Sequence, residues 1–362
     1  MRKLASIQRI TDITPIEGKD RIALASVLGW HVIINKADFN VGDLCVYVEI
    51  DSVMPERPEF EFLRKCNFRI KTMKMAGVLS QGICFPLSII KEEGPGHTLW
   101  TEDTDVTKLL GIKQYEPEQD DPLPEETSPK KKHSKLFNFL MKFRLFRRIV
   151  GPRKKTGLFP SFVPKTDEVR IQTMPDKLCD KTPYVLTEKV DGCSGTYILV
   201  RKRFLWVNRD QFIVCSRNRA LPHDDGRVYW DVAKKYDIKK ALSMMLGKNK
   251  WIAIQGECVG PKIQGNKYKF KENKFFAFNV ITPSGRWPSL KAKQELAHYG
   301  INFVPIISER YRLPDTVDEM LALAHGQSRL GDTLREGLVC RSLNGQRSFK
   351  AVDPEFLLKY NG

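Results

Sequence analysis

Strand-like segments mixed irregularly with a few helical patterns fill residues 158–362, and this mixture most constrains the fold. The strand-like segments are Tyr184–Glu188, Gly195–Val207, Phe212–Ser216, Trp251–Glu257, Lys274–Ile281, Glu336–Ser342 and Arg347–Val352. Helical patterns lie at Val228–Leu246, at Leu290–Tyr299 with Ser289 as its N-cap and Gly300 at its end, and at Thr316–His325. The mixture predicts an α+β unit whose sheets are mostly antiparallel.

The first ninety residues read instead as short strands separated by glycine-containing turns. Segments Leu4–Ile10, Arg21–Leu28, Trp30–Asn35 and Leu44–Glu49 are rich in β-branched and aromatic residues. Such spacing predicts a small β-barrel, and an OB-like barrel is the natural candidate. The pattern does not separate an OB-like barrel from an SH3-like one.

A charged linker separates the two units. Residues 115–128 are acidic and rich in proline, which predicts a solvated connection, whereas Lys130–Lys155 carries eleven Lys and Arg and no acid. The basic part has an amphipathic pattern that fits an RNA-contacting arm, a membrane-surface helix or a helix packed on the barrel. We therefore divide the chain into residues 1–112, 113–157 and 158–362.

The charge and the cysteines restrict the class of protein. The formal net charge of +17 favours a polyanionic partner. The eight cysteines are scattered without a CxxC pair, which indicates reduced thiols of a cytoplasmic or nuclear protein. No signal peptide and no apolar run of spanning length is visible, so we expect no stable membrane association. We also expect a monomer.

Six short polar or aromatic elements in the second unit could carry chemistry, and most of them stand at strand ends. They are Glu188-Lys189-Val190-Asp191-Gly192, Ser216-Arg217-Asn218, Gly256-Glu257, Phe276-Ala277-Phe278, Glu336-Gly337-Leu338-Val339 and Ser348-Phe349-Lys350. Each element alone is weak, but their order makes a chance occurrence improbable.

These residue types suit nucleotide chemistry. A lysine is nucleophilic only when neutral, and nearby cations such as Lys350, Arg217 or a metal would lower the pKa of Lys189. The carboxylates of Asp191, Glu257 and Glu336 are hard oxygen ligands that suit Mg²⁺. Phe276 and Phe278 alternate onto one face of a strand, where either could stack on a purine.

The order of the six elements resembles the covalent nucleotidyltransferase superfamily of polynucleotide ligases and mRNA capping enzymes, whose catalytic domain is ATP-grasp-like. Only twelve residues follow Lys350, which leaves no room for the OB domain that follows this point in DNA ligases and capping enzymes. A barrel before the catalytic unit, with the lead-in Leu158–Asp167, is similar to the Naegleria-type ATP-dependent RNA ligases.

The resemblance implies a role for each matching residue. Lys189 would attack ATP to form lysyl-AMP, AMP would pass to an RNA 5′-phosphate, and a 3′-hydroxyl would displace it. The cofactors would be ATP and Mg²⁺ or Mn²⁺, and the partner would be RNA, as a nicked duplex or broken ends. The implied contacts are Asp191, Glu257 and Glu336 to metal-bound waters, Lys350 to the AMP phosphate, Glu188 to the adenine amine, Phe276 or preferably Phe278 to the adenine face, Ser194 and Arg217 to the ribose and phosphate, and Glu336 to the nucleotide site.

One departure and three alternatives accompany this reading. Many RNA ligases have two lysines in the last element, whereas Ser348 takes the first place here. An RNA guanylyltransferase, a DNA-nick ligase and a non-catalytic RNA-binding protein are the alternatives. We also expect the barrel and Lys130–Lys155 to bind RNA without a part in AMP loading.

Overall fold

A computed structural model describes residues 3–90, 100–115, 157–204, 207–208, 210–221, 223–224 and 226–360. Most of the 113–157 linker, with the whole of Lys130–Lys155, lies outside the described residues. The three interpretations of that basic segment therefore stay predictions.

The amino-terminal unit is a small, nearly closed antiparallel barrel. Its strands are β1 (Ala5–Pro15), β2 (Ile22–Val27), β3 (Trp30–Asn35), β4 (Leu44–Val48), β5 (Ser52–Val53), β6 (Thr72–Met75), β7 (Val78–Gln81), β8 (Ile83–Phe85) and β9 (Lys113–Gln114), with 3₁₀ turns at Pro58–Cys66 and Leu87–Ile89. The main sheet has the order β3-β2-β1-β4-β8. Ile33 of β3 donates its N–H to Ser80 Oγ of β7, at 3.0 Å, which draws the free edge of β3 inward. The barrel and its four predicted strands are confirmed.

Period-two alternation builds the barrel core. Ala23, Ala25 and Val27 of β2 point inward and are fully buried, while their neighbours are only partly buried. Strand β9 pairs with β5, so the unit extends to about residue 115 and past the predicted boundary at residue 112.

The carboxy-terminal unit contains two larger sheets and five described α-helices. Its strands are β10 (Gly157–Leu158), β11 (Tyr184–Glu188), β12 (Cys193–Val200), β13 (Arg203–Phe204), β14 (Val207–Asn208), β15 (Gln211–Cys215), β16 (Arg219–Leu221), β17 (Trp251–Val259), β18 (Lys274–Thr282), β19 (Gly285–Arg286), β20 (Asn302–Phe303), β21 (Ile306–Tyr311), β22 (Gly337–Ser342) and β23 (Ser348–Val352). The α-helices are α1 (Val228–Lys235), α2 (Ile238–Met245), α3 (Ser289–Ala297), α4 (Val317–Ala324) and α5 (Pro354–Tyr360), and short 3₁₀ turns lie at Ile171–Thr173, Pro175–Cys179 and Gln264–Asn266.

The first sheet has the order β10-β16-β15-β12-β17-β18-β19, with β20 pairing β18, and the second has the order β21-β11-β22-β23. Of the pairings between these named strands, β18 with β20 is parallel and the others are antiparallel. The predicted α+β class, with mostly antiparallel sheets, is confirmed.

Two helix predictions need correction. The single helix expected over Val228–Leu246 is two helices, because Asp237 adopts a left-handed φ of 41° between them. This turn lets Val232 of α1 and Leu242 of α2 both reach the same core under the first sheet. Ser289 is the first residue of α3 and not its N-cap, since Ala292 N–H already bonds to the Pro288 carbonyl at 2.9 Å. No helix in the described part of the chain is long and apolar enough to cross a membrane.

The two units share a bonded interface. Arg170 pairs with Asp51 of the barrel at 2.8 Å, and Thr173 Oγ1 donates to Glu49 at 3.0 Å. Gly29 N–H, in the hairpin between β2 and β3, donates to the Gln172 carbonyl at 2.8 Å. A side chain at Gly29 would collide with that backbone, because a Cβ there would lie 3.0 Å from Gln172 Cα.

Candidate active site

All of the predicted site residues except Phe276 line one cavity of about 1360 Å³ between the two sheets and the barrel. Strand β11 ends at Glu188, which lies opposite Leu338 at the start of β22, so Lys189 and Glu336 become neighbours. In the first sheet Ser194 of β12 lies opposite Glu257 of β17. Two separate strand pairings thus bring Lys189 and Glu336 to the same cavity as Ser194 and Glu257.

Lys189 is paired with an acid. Its Nζ lies 2.5 Å from Glu336 Oε2, and 24% of its side chain is exposed. Burial alone would lower the pKa of Lys189, but the charges of Glu336 and then Glu257 outweigh it and hold that pKa above its usual value. The expectation that Lys350 and Arg217 lower this pKa is not met, because the carboxylates are the charged neighbours that dominate.

Asp191 is held at both its backbone and its carboxylate. Its N–H donates to the Tyr268 hydroxyl at 2.8 Å, and its Oδ2 accepts from the ammonium of Lys267. Burial and the nearby charge of Glu336 raise the pKa of Asp191, although Lys267 opposes them. The glycine that follows serves strand packing, because a Cβ at Gly192 would lie 2.3 Å from the Cys258 carbonyl oxygen.

The pKa of Glu257 departs strongly from its usual value. Burial raises its pKa to about 8; the charge of Lys189 lowers it and that of Glu336 raises it further. Ser194 Oγ donates to its Oε2 at 3.1 Å. The carboxyl groups around Glu257 outweigh the positive charge of Lys189, so an ionised Glu257 would not be fully neutralised.

The carboxylates fit a hydrated metal ion better than a directly bound one. Among the described residues, no three His, Cys, Asp or Glu side chains are close enough together to ligate a metal themselves. The charge of Glu336 nevertheless raises the pKa of Asp191, and the charges of Glu336 and Asp191 raise that of Glu257. Mg²⁺ usually keeps several of its waters, so three carboxylates around such an ion could bind it through them.

The two aromatic candidates differ in position. Phe276 is 8% exposed and lies in an apolar cluster, where its ring centroid is 6.1 Å from that of Phe270. Phe278 lines the cavity, and the Arg341 guanidinium lies 5.8 Å from its ring centroid. The geometry therefore favours Phe278 for a flat ligand.

Glu188 also lines the cavity, but its carboxylate already has partners. It accepts hydrogen bonds from Ser328 Oγ and, at 2.9 Å, from Arg329 N–H. Burial raises the pKa of Glu188 despite these two bonds.

The remaining candidates, Arg217 and Lys350, line the same cavity. Arg217 pairs with Asp167 at 2.5 Å. Ser348, in the place of a second lysine, donates to Glu168 at 2.6 Å and accepts from Arg286 at 3.0 Å. The Lys177 ammonium donates to the Ser348 carbonyl at 2.9 Å, which brings another cation to this edge of the cavity.

Several cavity residues were missed from the sequence. Arg170 and Arg341 are 6% and 2% exposed, and in each the Nε and one terminal nitrogen have no hydrogen-bond partner. Both line the cavity, where unsatisfied guanidinium groups suit phosphate oxygens. The charged run around Asp167 was a usable signal for Arg170. Barrel residues such as Asp51 and Arg69 also line the cavity, and no local motif marks them.

Comparisons with known proteins agree with this architecture. Residues 4–87 match a family model described as an OB-fold domain, and residues 182–360 match the RNA ligase model. The chain is similar to solved structures of Naegleria gruberi RNA ligase. The structure of that ligase with PPi is 28% identical in sequence to this chain and has a TM-score of 0.80. The match covers 100% of this chain and 99% of that one. A mutant with ATP and Mn is 28% identical at 0.81 over 100% of both chains, and a mutant with AMP and Mn is 27% identical at 0.79 over 99% of both. No curated protein sequence matches the chain.

Proposed function

We propose that this chain is an ATP-dependent enzyme that joins an RNA 3′-hydroxyl to a 5′-phosphate. The proposal starts from the carboxy-terminal unit, which belongs to the RNA ligase family and follows an OB-fold domain. The observation that carries the proposal is the placement of Lys189, 2.5 Å from Glu336, in the cavity that also holds Asp191 and Glu257. The substrate would be a nicked duplex or broken RNA ends.

In the first step Lys189 Nζ bonds to the α-phosphorus of ATP as the bond to the bridging oxygen breaks and pyrophosphate leaves. The ammonium must first lose a proton, and Glu336 Oε2 is the acceptor in contact with it. The unsatisfied nitrogens of Arg170 and Arg341 and the ammonium of Lys350 would hold phosphate oxygens. Phe278 would stack on adenine, while Glu188, Ser194 and Arg217 would border the nucleoside.

The acidic residues explain the need for a divalent cation. Bound through waters on Asp191, Glu257 and Glu336, Mg²⁺ or Mn²⁺ would stabilise the charge that develops on the α-phosphate. In the later steps the RNA 5′-phosphate displaces Lys189 from AMP, and the 3′-hydroxyl then displaces AMP to form the phosphodiester. These two displacements need the RNA ends in the same cavity as Lys189.

We further propose a monomer that works in the cytoplasm or nucleus. All eight cysteines are free thiols in the structure, which suits a reducing compartment.

Incubation of the full chain with α-labelled ATP and Mg²⁺ tests the proposal. The wild type should carry covalent label, Lys189→Ala should carry none, and Lys181→Ala should label normally because that lysine pairs with Asp315 at the surface. Label from GTP and not ATP would favour a guanylyltransferase. Sealing of nicked DNA in preference to nicked RNA would favour a DNA ligase, and no label from either nucleotide would favour a non-catalytic RNA-binding protein.

A further inference from the structure

Lys267 is a partly buried cation that contacts Asp191 and for which the proposed reaction has no use. Its ammonium bonds to Asp191 Oδ2 and, at 3.0 Å, to the Gln264 carbonyl, and 14% of its side chain is exposed. The ammonium also lies 5.6 Å from the Phe356 ring centroid and 5.2 Å from that of Tyr360, both on α5. Cation–π contacts of this kind stabilise a buried ammonium.

The loop that carries Lys267 has a specialised backbone. Between residues 260 and 270, Lys262, Gln264, Asn266 and Lys269 all adopt left-handed φ angles of 46° to 65°, which are costly for residues with side chains. The Asn266 side chain bonds to both the N–H and the carbonyl of Phe270, at 3.0 and 2.9 Å, and fixes the turn.

This turn aims two consecutive residues at Asp191. The Tyr268 hydroxyl accepts the Asp191 N–H, while Lys267 bonds to its carboxylate. A strained backbone that fixes one acidic residue at two points indicates a specific function for the contact.

We propose that Lys267 is a positioning residue that occupies the place of a counter-ion at Asp191 and competes with the divalent cation for that carboxylate. Lys267 thereby keeps Asp191 oriented between turnovers and sets how tightly the metal binds. The inference rests on the proposed function only in taking the metal to be that of the adenylylation reaction.

Competition and simple bracing make opposite predictions. If Lys267 competes with the cation, loss of its charge leaves Asp191 free to face the metal, and metal affinity rises. If Lys267 only braces Asp191, its loss lets the carboxylate move away, and metal affinity falls. The direction of the change therefore separates the two roles.

The test measures Mn²⁺ binding to the full chain without nucleotide, either by calorimetry or from the electron paramagnetic resonance signal of free Mn²⁺. Lys267→Met should bind Mn²⁺ at least about tenfold more tightly than the wild type, because a positive charge next to the site is removed. Lys267→Arg, which keeps the charge, should stay within about threefold of the wild type. Lys269→Met is the matched control, since Lys269 lies in the same loop but is exposed.

Unchanged or weaker Mn²⁺ binding by Lys267→Met would overturn the proposal, as would equal tightening by Lys269→Met. Thermal unfolding checks that each variant is folded, and Lys267→Gln replaces the Met variant if that one is not. Label transfer from ATP is measured separately. Wild-type protein that binds Mn²⁺ but takes no AMP would contradict the proposed function while leaving the competition measurable.

Discussion

The barrel and the catalytic unit bury their apolar residues in different ways. The barrel has one continuous core, which also takes in Val352 of β23 and Leu357 of α5 from the catalytic unit. The described part of the catalytic unit has four separate clusters. The proposed reacting groups lie in the cavity between its two sheets. The barrel forms one wall of this cavity and shares its core with the catalytic unit.

This difference changes the role expected of the barrel. The sequence alone predicts a barrel that binds RNA and has no part in AMP loading. Lys3, Gln8, Asp51, Arg69 and Tyr115 of the barrel line the same cavity as Lys189, so we now expect the barrel to influence the first step as well.

The largest expected effect is on the rate of lysyl-AMP formation in the catalytic unit. Glu257→Ala and Glu336→Ala should each lower the rate of lysyl-AMP formation by about a thousandfold or more, because metal stabilisation of a transferring phosphate contributes several kcal/mol. Rates of label transfer at saturating Mg²⁺ measure the loss. Near-normal turnover in either variant would remove that carboxylate from the metal site.

A second prediction concerns the contact between the barrel and the catalytic unit. Asp51→Ala removes the barrel partner of Arg170, whose side chain is 7% exposed, and leaves a buried guanidinium without its acid. We expect a loss of about 1–3 kcal/mol in the free energy of unfolding, which is below the roughly 3–5 kcal/mol of a fully buried broken pair because Asp51 is 28% exposed.

AMP loading should also slow in Asp51→Ala, because Arg170 lines the cavity. Urea unfolding and label transfer measure the two effects. Glu102→Ala is the matched control, since its pair with Arg9 is 45–47% exposed and its loss should change neither quantity. Equal behaviour of the two variants would mean that the barrel is a loosely attached module.

Strands in both units were predictable because their signals are local. Tyr184–Glu188 and Trp30–Asn35 have the bounds that their composition indicated, and Lys189, Asp191 and Glu336 stand beside strand ends. Lys267 was not predictable, because it lies 76 residues from Asp191 in sequence and reaches it through a left-handed loop. The break at Asp237 was missed because helical periodicity continues on both sides of it.

A smaller effect is expected from the pH dependence of Glu257. Burial raises its pKa to about 8, so between pH 4.5 and 8 the folded chain keeps a proton that the unfolded chain has lost. The unfolded state then binds fewer protons, and stability falls as pH rises through this window and levels off above it.

Glu257→Gln cannot ionise and should lack this slope. Without divalent metal, the wild type should lose on the order of 1 kcal/mol more than Glu257→Gln between pH 6 and 8. Urea unfolding at several pH values gives the comparison. Parallel curves for the two proteins would show that Glu257 is already ionised at pH 6.

The smallest effect should come from the rim of the interface between the two units. His31 of β3 lies 3.2 Å from Asp318 of α4, but their side chains are 35% and 70% exposed. Exposed pairs of this kind contribute about 0–1 kcal/mol and weaken further in salt. Asp318→Asn should therefore change the free energy of unfolding by less than about 0.5 kcal/mol, and it should leave AMP loading unchanged because neither residue lines the cavity. The same urea and label-transfer assays used for Asp51→Ala allow a direct comparison. If Asp318→Asn lowered the free energy of unfolding and AMP loading as much as Asp51→Ala, the exposed His31–Asp318 pair would matter as much as the buried one. The conclusion that the Arg170–Asp51 contact holds the barrel against the catalytic unit would then be wrong.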